Sequence, residues 1–180
     1  MPTATDKFTG DLRSLIRDVP DFPKKGILFR DVTPLLQHGP AFRRCVEQLC
    51  QVIAKARPAV IAGIESRGFI FGAAAATMLG VGFVPMRKPG KLPWKTRQQR
   101  YQLEYGSDGI DIHEDAVAAG TRVVLVDDLL ATGGTAAAAC RLLKDLGADV
   151  VLAAFVIELG GLNGRAQLSS LPVEALIVYP

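Results

Sequence analysis

Arg122-Val123-Val124-Leu125-Val126-Asp127-Asp128-Leu129-Leu130-Ala131-Thr132-Gly133-Gly134-Thr135 decides the fold. Four apolar, mostly β-branched residues running straight into two acids read as a buried parallel strand that ends at Asp127 and Asp128. In open parallel sheets ligands sit at the carboxyl ends of the strands. The turn Ala131 to Thr135 is built of small residues and opens a helix near Thr135. Its glycines let backbone approach a ligand, and the unpaired N–H groups and dipole of a helix start favour an anion. The Gly-x-x-x-x-Gly-Lys spacing of nucleoside triphosphate loops is missing, so one phosphomonoester is the expected guest. Two adjacent carboxylates can accept hydrogen bonds from vicinal sugar hydroxyls, as an acid does in dinucleotide folds. Phosphate and ribose together make a ribose 5-phosphate. The competing reading is an ordinary strand-to-helix turn, and it leaves two acids at a buried strand end without the partners that offset their desolvation.

Working outward, a chain of 180 residues, 49% hydrophobic and 22% charged, fits one domain with a sizeable core. A net charge of +3 is too mild for a nucleic-acid tail, and no run of five basic residues occurs. Met1 to Gly10 is polar and has no signal core. The uncharged stretch Gly68 to Met86 carries four glycines and Pro85, so it reads as a helix, a turn and a strand and not as a membrane span. Three cysteines, Cys45, Cys50 and Cys140, sit among apolar neighbours and suit reduced thiols in a cytoplasmic protein.

Asp11 to Val19 has a short helical pattern ending before Pro20. Pro20-Asp21-Phe22-Pro23 and Gly26 hold an irregular segment that delivers Ile27 to Arg30 as an extended piece. Ala41 to Ala56 is an amphipathic helix, Ala59 to Ile64 a core strand, and Glu65-Ser66-Arg67-Gly68 turns that strand into a helix over Phe69 to Leu79. This second strand-to-helix turn aims N–H groups and an arginine at an anion. Gly82 to Met86 is another strand. Arg87-Lys88-Pro89-Gly90-Lys91-Leu92-Pro93 then puts three cations among two prolines and a glycine, a loop leaving a strand end. No apolar period follows through Arg100, which predicts a mobile lid of about twenty residues in which Trp94 packs on a neighbour. Tyr101 to Tyr105 and Gly109 to His113 alternate like a hairpin around Gly106. Thr135 to Leu146 reads as a helix, Val150 to Ile157 as a strand, Asn163 to Leu168 as a short helix and Val173 to Val178 as a last strand. His38 and His113 have no ligand partners at metal spacing and read as surface or loop residues.

Val123 to Thr135 resembles the phosphoribosyl pyrophosphate signature of the type I phosphoribosyltransferases, in the form carried by their adenine-using members. Pro20 to Pro23, Gly26 to Asp31, Ser66 to Phe69, Arg87 to Pro93 and Leu103-Glu104-Tyr105-Gly106 resemble that group's other motifs, in order and over nearly the whole chain. The resemblance implies an α/β fold, a central mainly parallel sheet flanked by helices, in one domain over residues 1–180. Residues 1–35 would form a small N-terminal hood over the base and residues 87–106 a mobile lid loop with a hairpin strand. It implies transfer of 5-phosphoribosyl from phosphoribosyl pyrophosphate to adenine, giving AMP and pyrophosphate. Asp127 and Asp128 are then expected on the ribose hydroxyls, Ala131, Thr132, Gly133, Gly134 and Thr135 on the 5-phosphate, and Ser66, Arg67, Arg87, Lys88 and Lys91 around the pyrophosphate. Glu104 is the expected catalytic acid or base, with Arg67 assisting at the reacting centre and Tyr105 on substrate. Mg²⁺ is expected to bind through substrate oxygens and not in a protein cage. The Glu65-Ser66 peptide is expected to be cis. A homodimer is expected too, with the small face Gly72, Ala73 and Ala76 permitting close packing.

Adenine offers a 6-amino donor beside the N1 acceptor, which the main chain of Leu28-Phe29-Arg30 can match while the Phe29 ring packs on the purine. A 6-oxopurine site calls for a cation near the 6-oxygen, and no lysine follows the signature before Lys144. Relatives acting on 6-oxopurines carry aspartate where this chain has Ala131. A transferase for a 6-oxopurine, and a regulator that only senses phosphoribosyl pyrophosphate, remain as alternatives. The sensor needs a DNA-binding domain for which the chain has no room.

Overall fold

In the first unit of the chain, residues 1–48, two short strands pair through their backbones, and in the second, residues 49–180, five described strands form one sheet and two more a hairpin. The computed structural model describes residues 10–102, 107–168 and 170–180. Asp11 caps a single 3-10 turn, Leu12–Leu15, by accepting from Arg13 N at 2.9 Å. Strand β1 (Arg17–Pro20) pairs antiparallel with β2 (Leu28–Asp31). The helix expected over Asp11 to Val19 is thus one turn followed by a strand. A pattern of two turns cannot hold a helix by itself, and β2 offers the backbone partners that draw Arg17 to Val19 into extension. The connecting loop closes through Asp21 Oδ1, which accepts from Gly26 N at 2.6 Å, and Phe22 meets Phe29 edge to face with centroids 5.1 Å apart. Asp31 accepts from Thr33 N at 2.9 Å and starts α1 (Thr33–Gln37). Helix α2 (Gly39–Lys55) runs on from it across the boundary between the units.

In residues 49–180 the order is β3 (Val60–Ile64), α3 (Arg67–Leu79), β4 (Gly82–Met86), β5 (Thr96–Gln102), β6 (Ser107–His113), β7 (Arg122–Leu130), α4 (Gly134–Asp145), β8 (Asp149–Leu159) and β9 (Val173–Tyr179). The sheet runs β4-β3-β7-β8-β9 and every pairing in it is parallel. Its central strands are apolar on both faces, as helices on a parallel sheet require. Ala136 to Ala139 of α4 are all buried, and their small side chains let the helix lie close to Leu125 and Phe155. The buried face of α3 uses Gly72 against Phe83, whose ring a Cβ there would approach to 3.0 Å.

Two boundaries differ from the sequence reading. Strand β7 does not end at Asp127 and Asp128, because Leu129 and Leu130 continue the ladder opposite Ile157 and Glu158. The hairpin starts earlier, at Thr96, and β5 pairs with β6 from Thr96↔His113 to Gln102↔Ser107. Thr96 to Arg100 is polar, so period-two apolar alternation gave no sign of a strand that backbone pairing makes. The hairpin packs on α4. Trp94, read as a packing residue, is 64% exposed.

Candidate functional site

The end of β7 brings Asp127 and Asp128 to a cleft of about 440 Å³ lined by Ile64 to Arg67, Lys88 and Asp127 to Ala136. Loop Ala131 to Gly133 leads from the acids to α4. Gly133, at φ 82°, is the N-cap and supplies no side chain, so no side-chain cap occupies the first turn's amides. Those amides and the helix dipole face the cleft as an anion seat. The second helix start is α3, preceded by the cis Glu65–Ser66 peptide that the sequence led us to expect. Ser66 makes no side-chain cap either. Gly68 lets this turn press against the acids, since a Cβ there would lie 2.7 Å from Asp127 Oδ1.

Between the two helix starts the acids are linked and strained electrostatically. Asp128 N donates to Asp127 Oδ1 at 2.9 Å. Arg67 Nε lies 2.7 Å from Asp128 Oδ2, yet that oxygen has no aligned hydrogen bond among the described residues. Burial raises the Asp127 carboxyl well above the usual range and the Asp128 charge adds to it. Burial raises Asp128 as well, against the opposing pull of the Arg67 guanidinium. A carboxylate pair held this way gains most from hydroxyl donors or a cation placed between them. The donor set also fits Mg²⁺, which accepts one or two hard carboxylate oxygens and takes the rest of its shell from phosphates and water.

Glu65 organises the cationic loop. Its Oε2 accepts from Arg87 Nε at 2.8 Å and from Lys88 N at 3.1 Å, while Arg87 Nη1 donates to Lys91 O at 2.9 Å. Lys88 lines the cleft; Arg87 and Lys91 belong to the loop beside it. One cleft therefore gathers Ser66, Arg67, Lys88, Asp127, Asp128 and Ala131 to Thr135. Leu28, Phe29 and Arg30 lie on β2 in the first unit, where Arg30 pairs with Asp18. Glu104 and Tyr105 lie outside the described residues.

Gly133 has a second reason beside the turn: a Cβ there would run into the Gly164 carbonyl oxygen and meet Gln167 Cβ at 3.1 Å, so its φ and its packing on 164 also require a glycine. Gly164 belongs to a 3-10 stretch, Gly164–Leu168, fixed by buried Glu158. Arg165 donates Nε and Nη2 to the Glu158 carboxylate at 2.7 and 2.6 Å, and Nη1 to Val173 O at 2.7 Å. The sequence reading missed this support, although a glutamate closing an apolar strand was a signal that a partner exists. It missed Asp111 as well, whose position inside β6 was the available sign, since aspartate is depleted in strands. Gly72 and Ala76 are buried within the chain, so they are not the dimer face proposed for them. His113 Nε2 is buried as well, unlike a surface histidine.

Residues 31–169 match the model of the phosphoribosyl transferase domain. The chain is 53% identical over 169 residues to an adenine phosphoribosyltransferase of Thermotoga petrophila, covering 94% of this chain and 99% of that one. The crystal structure of adenine phosphoribosyltransferase from Thermoanaerobacter pseudethanolicus superposes with a TM-score of 0.91 at 49% identity, covering 93% and 98% of the two chains. That of the Saccharomyces cerevisiae enzyme, complexed with an imino-altritol bisphosphate and adenine, gives 0.86 at 42% identity, covering 92% and 96%.

Proposed function

The chain belongs to the phosphoribosyltransferase family, among its adenine phosphoribosyltransferases, and on that premise we propose how its residues divide the work of purine salvage. The reaction moves 5-phosphoribosyl from phosphoribosyl pyrophosphate to adenine and yields AMP and pyrophosphate. What carries the proposal is the meeting, in one cleft, of the Asp127–Asp128 pair, the open start of α4 and the Ser66–Arg67 turn with Lys88.

Asp127 and Asp128 accept the ribose hydroxyls, and the amides and hydroxyls of Ala131 to Thr135 hold the 5-phosphate. The sugar is pinned at both ends while its anomeric carbon gains positive charge. Arg67, Lys88, Arg87 and Lys91, with the Ser66 turn, take the pyrophosphate, each charge-assisted bond contributing roughly 1.5 to 3 kcal/mol. Asp127 and Asp128, together with the donor's own oxygens, would hold Mg²⁺, which would supply charge neutralisation for the leaving pyrophosphate. Glu104 moves the proton of the adenine ring, and Tyr105 contacts substrate beside it. The lid excludes water, which otherwise attacks the donor. Leu28, Phe29 and Arg30 read the base, supported by the extended conformation of that stretch. The carry-over of these roles rests on residue-by-residue likeness to the family's motifs.

We also infer a cytoplasmic homodimer. Reduced, buried cysteines support the compartment. Ile70, 40% exposed, and Met78, 50% exposed, on the outer side of α3 support the dimer better than the small residues do. Incubation with adenine, phosphoribosyl pyrophosphate and Mg²⁺ under ultraviolet absorbance tests the function. Donor binding without turnover would mark a sensor instead.

A further inference from the structure

We propose that Asp111 is a positioning residue that holds the cationic loop Arg87 to Lys91 in the shape that binds pyrophosphate. Asp111 is 4% exposed although it is charged. Its backbone pairs with Arg87 in both directions, Arg87 N donating to Asp111 O at 2.9 Å and Asp111 N to Arg87 O at 2.6 Å. Its carboxylate accepts from Gly90 N at 3.2 Å through Oδ2 and from Gln98 Nε2 at 3.0 Å through Oδ1. Gln98 stands opposite it in the hairpin register. One buried acid thus binds the entrance of the loop at Arg87, its turn at Gly90 and, beyond its end, strand β5 at Gln98.

Two residues earlier, Gly109 gives the loop room to lie on the hairpin. A Cβ at that position would come within 2.9 Å of Pro89 Cγ. Gly90 turns at φ 75°, and Lys91 N closes the turn by donating to Lys88 O at 3.2 Å. Lys88, which lines the cleft, sits between Arg87 and Pro89, two residues the hairpin fixes. Burying a carboxylate is costly without such donors, so removing it leaves the Gly90 amide without its acceptor and releases the turn. The role belongs to hydrogen-bond geometry and not to charge at the cleft.

The inference rests on the assignment of this loop to pyrophosphate. Its test is calorimetric binding of inorganic pyrophosphate with Mg²⁺, with AMP as the control ligand, to the full chain. Asp111→Leu fills the space and accepts no hydrogen bond; it should weaken pyrophosphate about tenfold while AMP stays within about twofold. Gly109→Val should do the same by displacing Pro89, and it carries the test if Asp111→Leu does not fold. Asp111→Asn should keep nearly the parent affinity, because its carbonyl accepts from Gly90 and its amide meets a flipped Gln98. Unchanged pyrophosphate affinity in Asp111→Leu and Gly109→Val, or equal loss for both ligands, overturns the inference. Lys88→Ala separates the two levels. If it too leaves pyrophosphate binding unchanged, the loop's assignment falls along with the inference; if it weakens binding, only the role of Asp111 falls.

Discussion

Gly133 and Gly164 meet back to back behind the loop Ala131 to Thr135, each occupying the space where the other's neighbourhood would clash with a side chain. A Cβ on Gly164 would strike the Ala131 carbonyl oxygen and reach 3.1 Å from Gly133 N. The loop's shape is thus set from behind as well as by its own sequence. Gly164→Ala should raise the KM for the donor about tenfold or more while the KM for adenine changes little. Initial rates at varied donor and fixed adenine check it.

Asp127, buried beside Asp128, costs stability at neutral pH. Its folded carboxyl is raised above the ordinary value of 3.8, by burial first and by Asp128 second. The folded state therefore holds a proton that the unfolded chain releases, and stability falls as pH rises from about 3.8 through the raised value. Asp127→Asn removes that loss while keeping an acceptor for Asp128 N. Its melting temperature should exceed the parent's at pH 7, and the two should converge as the pH falls toward 4. Donor binding should vanish. Scanning calorimetry at the two pH values measures the difference.

The chemistry of the cleft was legible where it is local. Paired acids near the carboxyl end of a strand, a glycine turn and a helix start lie close together between Arg122 and Thr135, and the structure brings them into one cleft although the strand runs on to Leu130. Supports formed by residues distant in sequence were not legible. Asp111 alternates with Ile110 and Ile112 and so reads as an outward residue, yet it is buried because Gly90 and Gln98 come to it from another segment. Arg165 reads as a surface cation until Glu158 is seen across from it. The polar β5 illustrates the same limit, since its partner and not its side-chain pattern makes it a strand.

Arg165 anchors the segment that packs behind Gly133. Arg165→Met leaves the buried Glu158 carboxylate unpaired and should cost about 3 kcal/mol, the scale for breaking a buried pair. At about 2 to 4 °C per kcal/mol the melting temperature should fall by roughly 6 to 12 °C. Glu158→Leu added to Arg165→Met should recover most of it, because no buried charge then remains. Thermal denaturation of the single and double variants decides this.

In the proposed mechanism Glu104 acts on the base and not on the donor. Glu104→Gln should lower turnover by roughly 10² to 10⁴ and leave donor affinity nearly intact, as loss of a general acid or base does. Rates at saturating donor together with calorimetric donor binding test both halves. Full turnover in the variant removes Glu104 from the mechanism.

The most direct test is the ratio of kcat/KM for adenine to that for hypoxanthine, with the same donor and Mg²⁺. The proposed main-chain reader at Leu28 to Arg30 would present an acceptor and a donor in fixed order, and hypoxanthine would place like groups against both. Hydrogen-bond readout of this kind supports discrimination of about 10⁴ in favour of adenine. Conversion of hypoxanthine within about tenfold of adenine, too little for readout by two hydrogen bonds, would contradict the account.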